Sequence, residues 1–290
     1  MFMNKNYLVV IIFAILFLAT NIFYFPSFYA SIDEHEYLKN STLLGKGTIF
    51  EEDILHACRS TLTENGFISS YPLGKSVFLI PFTLLGFNAV MLSGLIINLI
   101  NLVIIFFLLK KQGLPEYYSL LYLFFPLFLW QGRTLYPGIL ALTFVLTGLY
   151  FFISNRKTYF FDSAFFSGFA FGTACWVRYE AVLASIPFFV SAFVSDKKKF
   201  FKMLIGFTIP IAILMLFNNF AYGGFFRVGY GDAVSIIVGA SRTDVLFNIL
   251  IYSVLMSLVY PLLFLSPLLS KVKARLEIFS VALLYVFFFS

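Results

Sequence analysis

The sequence predicts an all-α protein, a polytopic transmembrane helix bundle of about nine helices, or eight. Three observations carry that expectation. The 290-residue chain is 61% apolar and 12% charged, with a mean hydropathy of +0.93, more apolar surface than one soluble core of this size can hide. Apolar runs long enough, or nearly so, to cross a hydrocarbon layer of about 30 Å recur from end to end. The basic residues stand in short clusters between those runs, which is how a membrane protein records its orientation. The net charge of +6 therefore speaks for membrane topology and against nucleic acid as a partner.

The first run, 7–29, is about 23 residues long, too long for a signal-peptide core. Bulky Phe28 stands three residues before the one plausible cleavage point, where a small residue is needed, so an uncleaved helix is expected. Runs bounded by charges predict further helices at 88–109, 115–131, 135–153, 160–177, 180–195, 203–221, 245–269 and 276–290. With Lys5 cytoplasmic, strict alternation puts Lys110, Lys111, Arg156, Lys157, Lys197, Lys198, Lys199, Lys202, Lys271, Lys273 and Arg275 on the same side, the bias expected of cytoplasmic loops.

The non-cytoplasmic side then receives a first loop over 30–75, turns at Arg133 and Arg178, and a second loop over 222–244. Within the first loop, Asp53 to Leu62 has a helical spacing of apolar residues that suits a surface helix. Segment 76–87, with Pro81, is too short to span and reads as re-entrant or interfacial. The whole of 1–290 reads as one membrane-embedded module. Asn98 and Asn101 share a helix face at the spacing that suits bonds between helices, and Cys58 and Cys175 lie in settings too different to pair.

The densest chemistry is Ser31-Ile32-Asp33-Glu34-His35-Glu36-Tyr37, directly after the first apolar run. Carboxylates crowded at a membrane surface suit proton transfer, and isolated arginines on the same side suit an anion. A zinc site from Asp33, His35, His56 and Cys58 lacks the second close pair such sites use.

The order of these features resembles the polytopic glycosyltransferases of the C superfamily (GT-C), which include the family 39 protein O-mannosyltransferases and the lipid A aminoarabinose transferases. Asp33-Glu34 after the first helix looks like that family's acidic motif. Tyr71-Pro72-Leu73-Gly74 with Pro81 resembles its Tyr-Pro-Pro-leucine element. Arg133 through Pro137, Gly168 to Gly172 with Trp176-Val177-Arg178-Tyr179-Glu180, and Asn218-Asn219 with Tyr222-Gly223-Gly224 are similar to its later patterns.

The resemblance implies a membrane glycosyltransferase. Such an enzyme moves a sugar, with inversion, from a polyprenyl-phosphate-linked donor to a glycan, lipid or protein acceptor at the non-cytoplasmic face of the cell membrane. It implies Asp33 as general base, with Glu34 as the second choice or an orienting partner. Arg178, Arg133 and Lys75 become candidates for the donor phosphate, and His35, Tyr37, Tyr71 and Arg227 for substrate contacts. More plainly, Arg178 pairs with Glu180 or reaches for headgroups, Lys75 is an interface anchor, and 222–232 is a glycine-rich connector instead of a lid. Some relatives use a divalent cation, which Asp33 with Glu34 or Glu36 would hold here; the metal question stays open. The competing classes are a transporter or flippase for a lipid-linked or small solute, whose sites lie near the midplane, and a non-catalytic membrane subunit.

Overall fold

The computed structural model describes residues 5–24, 31–52, 59–154 and 162–232. The helices expected over 245–269 and 276–290, together with His56 and Cys58, lie outside the described residues. Of those described, 74% are helical, and β structure is confined to two small hairpins and a single bridge from Glu51 to Phe67. The helices are α1 (Lys5–Phe23), α2 (Ile32–Gly45), α3 (Gly74–Thr83), α4 (Phe87–Gln112), α5 (Leu120–Leu123), α6 (Pro126–Gln131), α7 (Gly138–Ile153), α8 (Ser163–Val177), α9 (Ala181–Ser195) and α10 (Lys197–Tyr222). The strands are β1 (Ser60–Thr63), β2 (Gly66–Ser69), β3 (Arg227–Val228) and β4 (Gly231–Asp232).

Two helices, α4 and α10, are long and apolar enough to cross a membrane, and shorter apolar helices stand at Tyr7–Phe23, α7, α8 and α9. Their packing divides into two main clusters. Val10 and Phe17 of α1 pack with Leu95 and Leu102 of α4 and with Tyr122 and Leu123. Phe152, Phe171, Phe188 and Met203 join α7, α8, α9 and α10. Helices α8 and α10 approach backbone to backbone, because Gly168 faces the Met203 carbonyl and Gly206 faces that of Phe165; a Cβ at either glycine would collide with the opposing oxygen. On its other side α10 leaves Phe201, Ile205, Ile209, Ile213, Leu216 and Phe220 exposed, an apolar ridge running its length.

Four expectations change. Segment 115–131 is a 3-10 turn (Glu116–Ser119) followed by α5 and α6, not one helix. Pro126 has no N–H to continue the ladder and keeps Phe125 extended at ψ 121. Asn98 and Asn101 stitch this broken segment to α4 and α7: the Asn98 amide donates to the Phe128 carbonyl, that of Asn101 to the Ile139 carbonyl, and the Tyr122 hydroxyl bonds both side chains. The start of the expected loop 30–75 is α2, capped by Ser31, whose hydroxyl accepts the Glu34 N–H. Residues 60–69 form the β1–β2 hairpin with Thr63 opposite Gly66, where Glu64-Asn65 turns the chain, so no helix runs through Leu62. Finally, α10 begins at Lys197 rather than 203, because the Asp196 carboxylate caps the N–H groups of Lys198 and Lys199.

The lysines gather at one end of the bundle. Lys110 donates to the Tyr7 hydroxyl at 2.7 Å, Lys111 to Ser154, Lys199 to the Phe152 carbonyl at 2.9 Å, and Lys202 pairs with Asp162 at 2.5 Å. At the other end, α2, α3 and both hairpins form a cap with the α6–α7 and α8–α9 turns.

Candidate functional site

Helix α2 buries Glu34, Glu36, Tyr37, Asn40 and Ser41, an unusually polar inner face. Each acid near its start has a different neighbour. The Asp33 carboxylate, partly exposed, accepts a hydrogen bond from the Tyr71 hydroxyl. Glu34 is buried and accepts the Leu135 backbone N–H at 3.0 Å, which ties α2 to the α6–α7 turn. Glu36 is buried against Lys39 at 2.8 Å; its Oε2 has no hydrogen-bond partner among the described residues. Burial raises the Glu36 pKa, opposed by the Lys39 bond. These three acids therefore do not converge, and among the described residues no group of three His, Cys, Asp or Glu is placed to hold a metal ion.

Tyrosines surround the Asp33 carboxylate. The Tyr71 ring lies 5.3 Å from Tyr37 and meets Tyr230 edge-on at 5.7 Å. Burial first, then the bond to Asp33, raises the Tyr71 pKa, so its hydroxyl keeps the proton it donates. Tyr37 is buried among Leu79, Val90, Met91 and Leu135, beneath the site rather than on its surface. Tyr230 comes from the turn between β3 and β4, which docks on the first hairpin. Gly229 lies so close to Ser70 that a Cβ would not fit, its carbonyl accepts from the Thr61 hydroxyl at 2.8 Å, and the Tyr222 hydroxyl donates to the Ser69 carbonyl at 2.9 Å.

Arg178 caps α8, its guanidinium bonded through Nε and Nη2 to one oxygen of Glu180 at 3.1 and 2.6 Å. The side chain stays 43% exposed, so the pair does not bury the charge. The Tyr230 hydroxyl lies within Coulomb reach of Glu180, Asp33, Arg178 and Arg59; burial first, then the two carboxylates, push its pKa up to about 12. Tyr37 likewise senses both Arg178 and Asp33. The carboxylate behind the first helix and the arginine at the tip of α8 thus share one neighbourhood.

The other sequence candidates disperse. His35 is partly exposed on the first turn of α2. Arg133 reaches the Tyr24 carbonyl across the bundle. Lys75, at the head of α3, is fully buried and its ammonium has no hydrogen-bond partner among the described residues. It lies 5.6 Å from the centre of the Phe78 ring. Desolvation pushes its pKa down to about 7, against the opposing pull of Glu34. Arg227 is exposed on β3, its stem along Gly224.

No protein-family model, curated protein or solved structure matches this chain. The residue geometry therefore stands alone. Beside the tyrosines, a cleft of about 430 Å³ is lined chiefly by apolar side chains, among them Leu44, Ile49, Leu73, Trp176, Phe217 and Phe220. Leu73 and Trp176 each stand two positions from Tyr71 and Arg178, so the cleft adjoins the polar site. Two residues that the sequence did not single out belong here, Arg59 and Tyr230. Tyr230 carries a signal after all, an aromatic between Gly229 and Gly231; Arg59 carries none until the hairpin is folded.

Proposed function

We propose that this protein is a membrane glycosyltransferase that uses Asp33 as general base on a sugar carried by a polyprenyl phosphate or diphosphate. The observation that carries the reading is the partly exposed Asp33 carboxylate, oriented by the Tyr71 hydroxyl, in one tyrosine-lined neighbourhood with Arg178. An acceptor hydroxyl must lose its proton as it attacks, and a fixed carboxylate can take it. The departing lipid phosphate gains negative charge, which an arginine fork meets in matching geometry. The adjoining apolar cleft suits the lipid part of such a donor.

The protein resides in a membrane on this reading, because the ridge of α10 and the apolar face of α1 (Leu8, Ile11, Ile12, Ile15) are too extensive to leave in water. Its N-terminus and lysine end are cytoplasmic, and the site lies on the opposite face. Glu34, turned inward to the Leu135 N–H, positions α2 and is not the base.

The test is reconstitution in vesicles holding polyprenyl-phosphate-linked sugars, with product followed by mass spectrometry. A new glycosidic bond formed at the expense of the donor is the expected result. Movement of intact donor between leaflets without bond formation would replace the enzyme by a flippase.

A further inference from the structure

Arg59 is the one described non-glycine residue with positive φ, at 53°, a left-handed conformation that ordinary side chains occupy at a cost in free energy. The hairpin imposes it. The Arg59 carbonyl accepts the Ser70 N–H at 3.0 Å, just beyond the rung where Ser60 of β1 faces Ser69, so the residue is locked at the mouth of the hairpin. Its side chain is exposed, and among the described residues no carboxylate forms an ion pair with it. The same rim carries Tyr71, which follows Ser70, and Tyr230, which follows the Gly229 wedged on Ser70. Arg178 reaches this rim from the α8–α9 turn, exposed although paired. Both guanidinium groups act on the Tyr230 hydroxyl, and Arg59 acts on that of Tyr71 as well.

We propose that Arg59 and Arg178 are the two arms of a binding site for a phosphate or diphosphate group, with Tyr230 between them. Two planar forks carried on separate elements can each present paired N–H donors to phosphate oxygens, which a single arginine tied to Glu180 does less well. The Tyr230 hydroxyl adds a neutral donor at the same rim. The left-handed backbone at Arg59 holds an exposed arginine at the mouth of the hairpin, two residues' reach from Tyr71 through the Ser70 rung. The cleft that begins at Leu73 and Trp176 makes a lipid-borne phosphate the ligand class of choice. This proposal rests on the transferase reading only for the identity of the ligand, as the donor's anionic group.

The experiment uses the full chain in neutral detergent and three probes: farnesyl diphosphate, farnesol with the same tail and no anion, and inorganic pyrophosphate. Intact protein should bind the diphosphate at least about tenfold more tightly than the alcohol, the worth of one or two charge-assisted bonds. Arg59→Asn removes the fork and tolerates left-handed backbone. It should cut diphosphate affinity about tenfold and leave farnesol unchanged. Arg59→Gly, which accepts that backbone without strain, should repeat the result and guards against a folding artefact. Pyrophosphate binding as tightly as farnesyl diphosphate would support the anion site and make its ligand soluble; much weaker binding would support a lipid-borne one. Equal affinity for diphosphate and alcohol in the intact protein, or undiminished diphosphate affinity in both Arg59 variants, would overturn the proposal. Diphosphate preference without any sugar transfer would instead remove the transferase reading and leave this site standing.

Discussion

The two ends of the bundle differ in what holds their charges. At the lysine end four cations are tied to near neighbours, Lys202 to Asp162, Lys199 to the Phe152 carbonyl, Lys110 to Tyr7 and Lys111 to Ser154, while Lys197 and Lys198 face outward. These bonds join the ends of neighbouring helices. At the cap end, the Asp33 carboxylate is held by a hydroxyl rather than by a cation, and the charges around Tyr230 stay partly exposed. Neutralised charge fastens elements, whereas charge oriented but left accessible can act on another molecule. That contrast, more than the number of acids in the first loop, locates the site.

The contrast can be broken by deleting comparable groups at each end. Asp33→Asn, nearly isosteric, should lower sugar transfer by about 10²–10⁴, the usual worth of a positioned general base, while the amount of folded protein in the membrane stays constant. Near-normal transfer by this variant would put the base elsewhere. Tyr71→Phe should follow, with roughly a tenfold loss in kcat and a smaller change in KM, because it removes one bond that orients the carboxylate. A matching loss of thermal stability would show instead that the hydroxyl is only a structural tie.

A third comparison reads pH. The unfolded chain has Lys75 at its ordinary pKa of 10.5 and the folded one at about 7, so between these values the unfolded state binds a proton that the folded state lacks. Stability should therefore rise with pH across that window. Lys75→Met should flatten the rise in thermal midpoint measured from pH 7 to pH 9; an equally steep rise in the variant would show that the ammonium is solvated. The smallest effect is expected at the far end, where Lys202→Gln breaks a pair that is 41% exposed on the lysine side. It should cost about 0.2–1 kcal/mol by thermal unfolding and change transfer by less than about twofold. A large loss of activity there would erase the difference between the ends.

Much of the helical order was legible from periodicity and charge, since α4, α7, α8 and α9 begin and end within a few residues of their apolar runs. The break at Pro126 is legible too, because a proline inside an apolar run lacks the N–H that would continue the helical ladder. Helix α2 is more instructive. Its inner face is Glu34, Glu36, Tyr37, Asn40 and Ser41, so a search for apolar stripes finds nothing, yet Ser31-Ile32-Asp33-Glu34 has the spacing of a capping box. At the site, Asp33, Tyr71 and Arg178 stand out as residue types at helix or loop boundaries. Glu34 is indistinguishable from Asp33 until the Leu135 N–H claims it.

By itself the sequence determined the helical character, the places of α4, α7, α8 and α9 and the gathering of lysines between apolar runs, because these follow from local composition and the reach of a helical turn. Tertiary structure alone decided which acid stays accessible, which tyrosine lies beneath the site and that Arg59 joins it. Those outcomes depend on contacts between residues far apart in the chain: Tyr71 with Asp33, Leu135 with Glu34, and Gly229 against Ser70. Burial and hydrogen-bond partnership are properties of neighbours in space, and no local pattern encodes them.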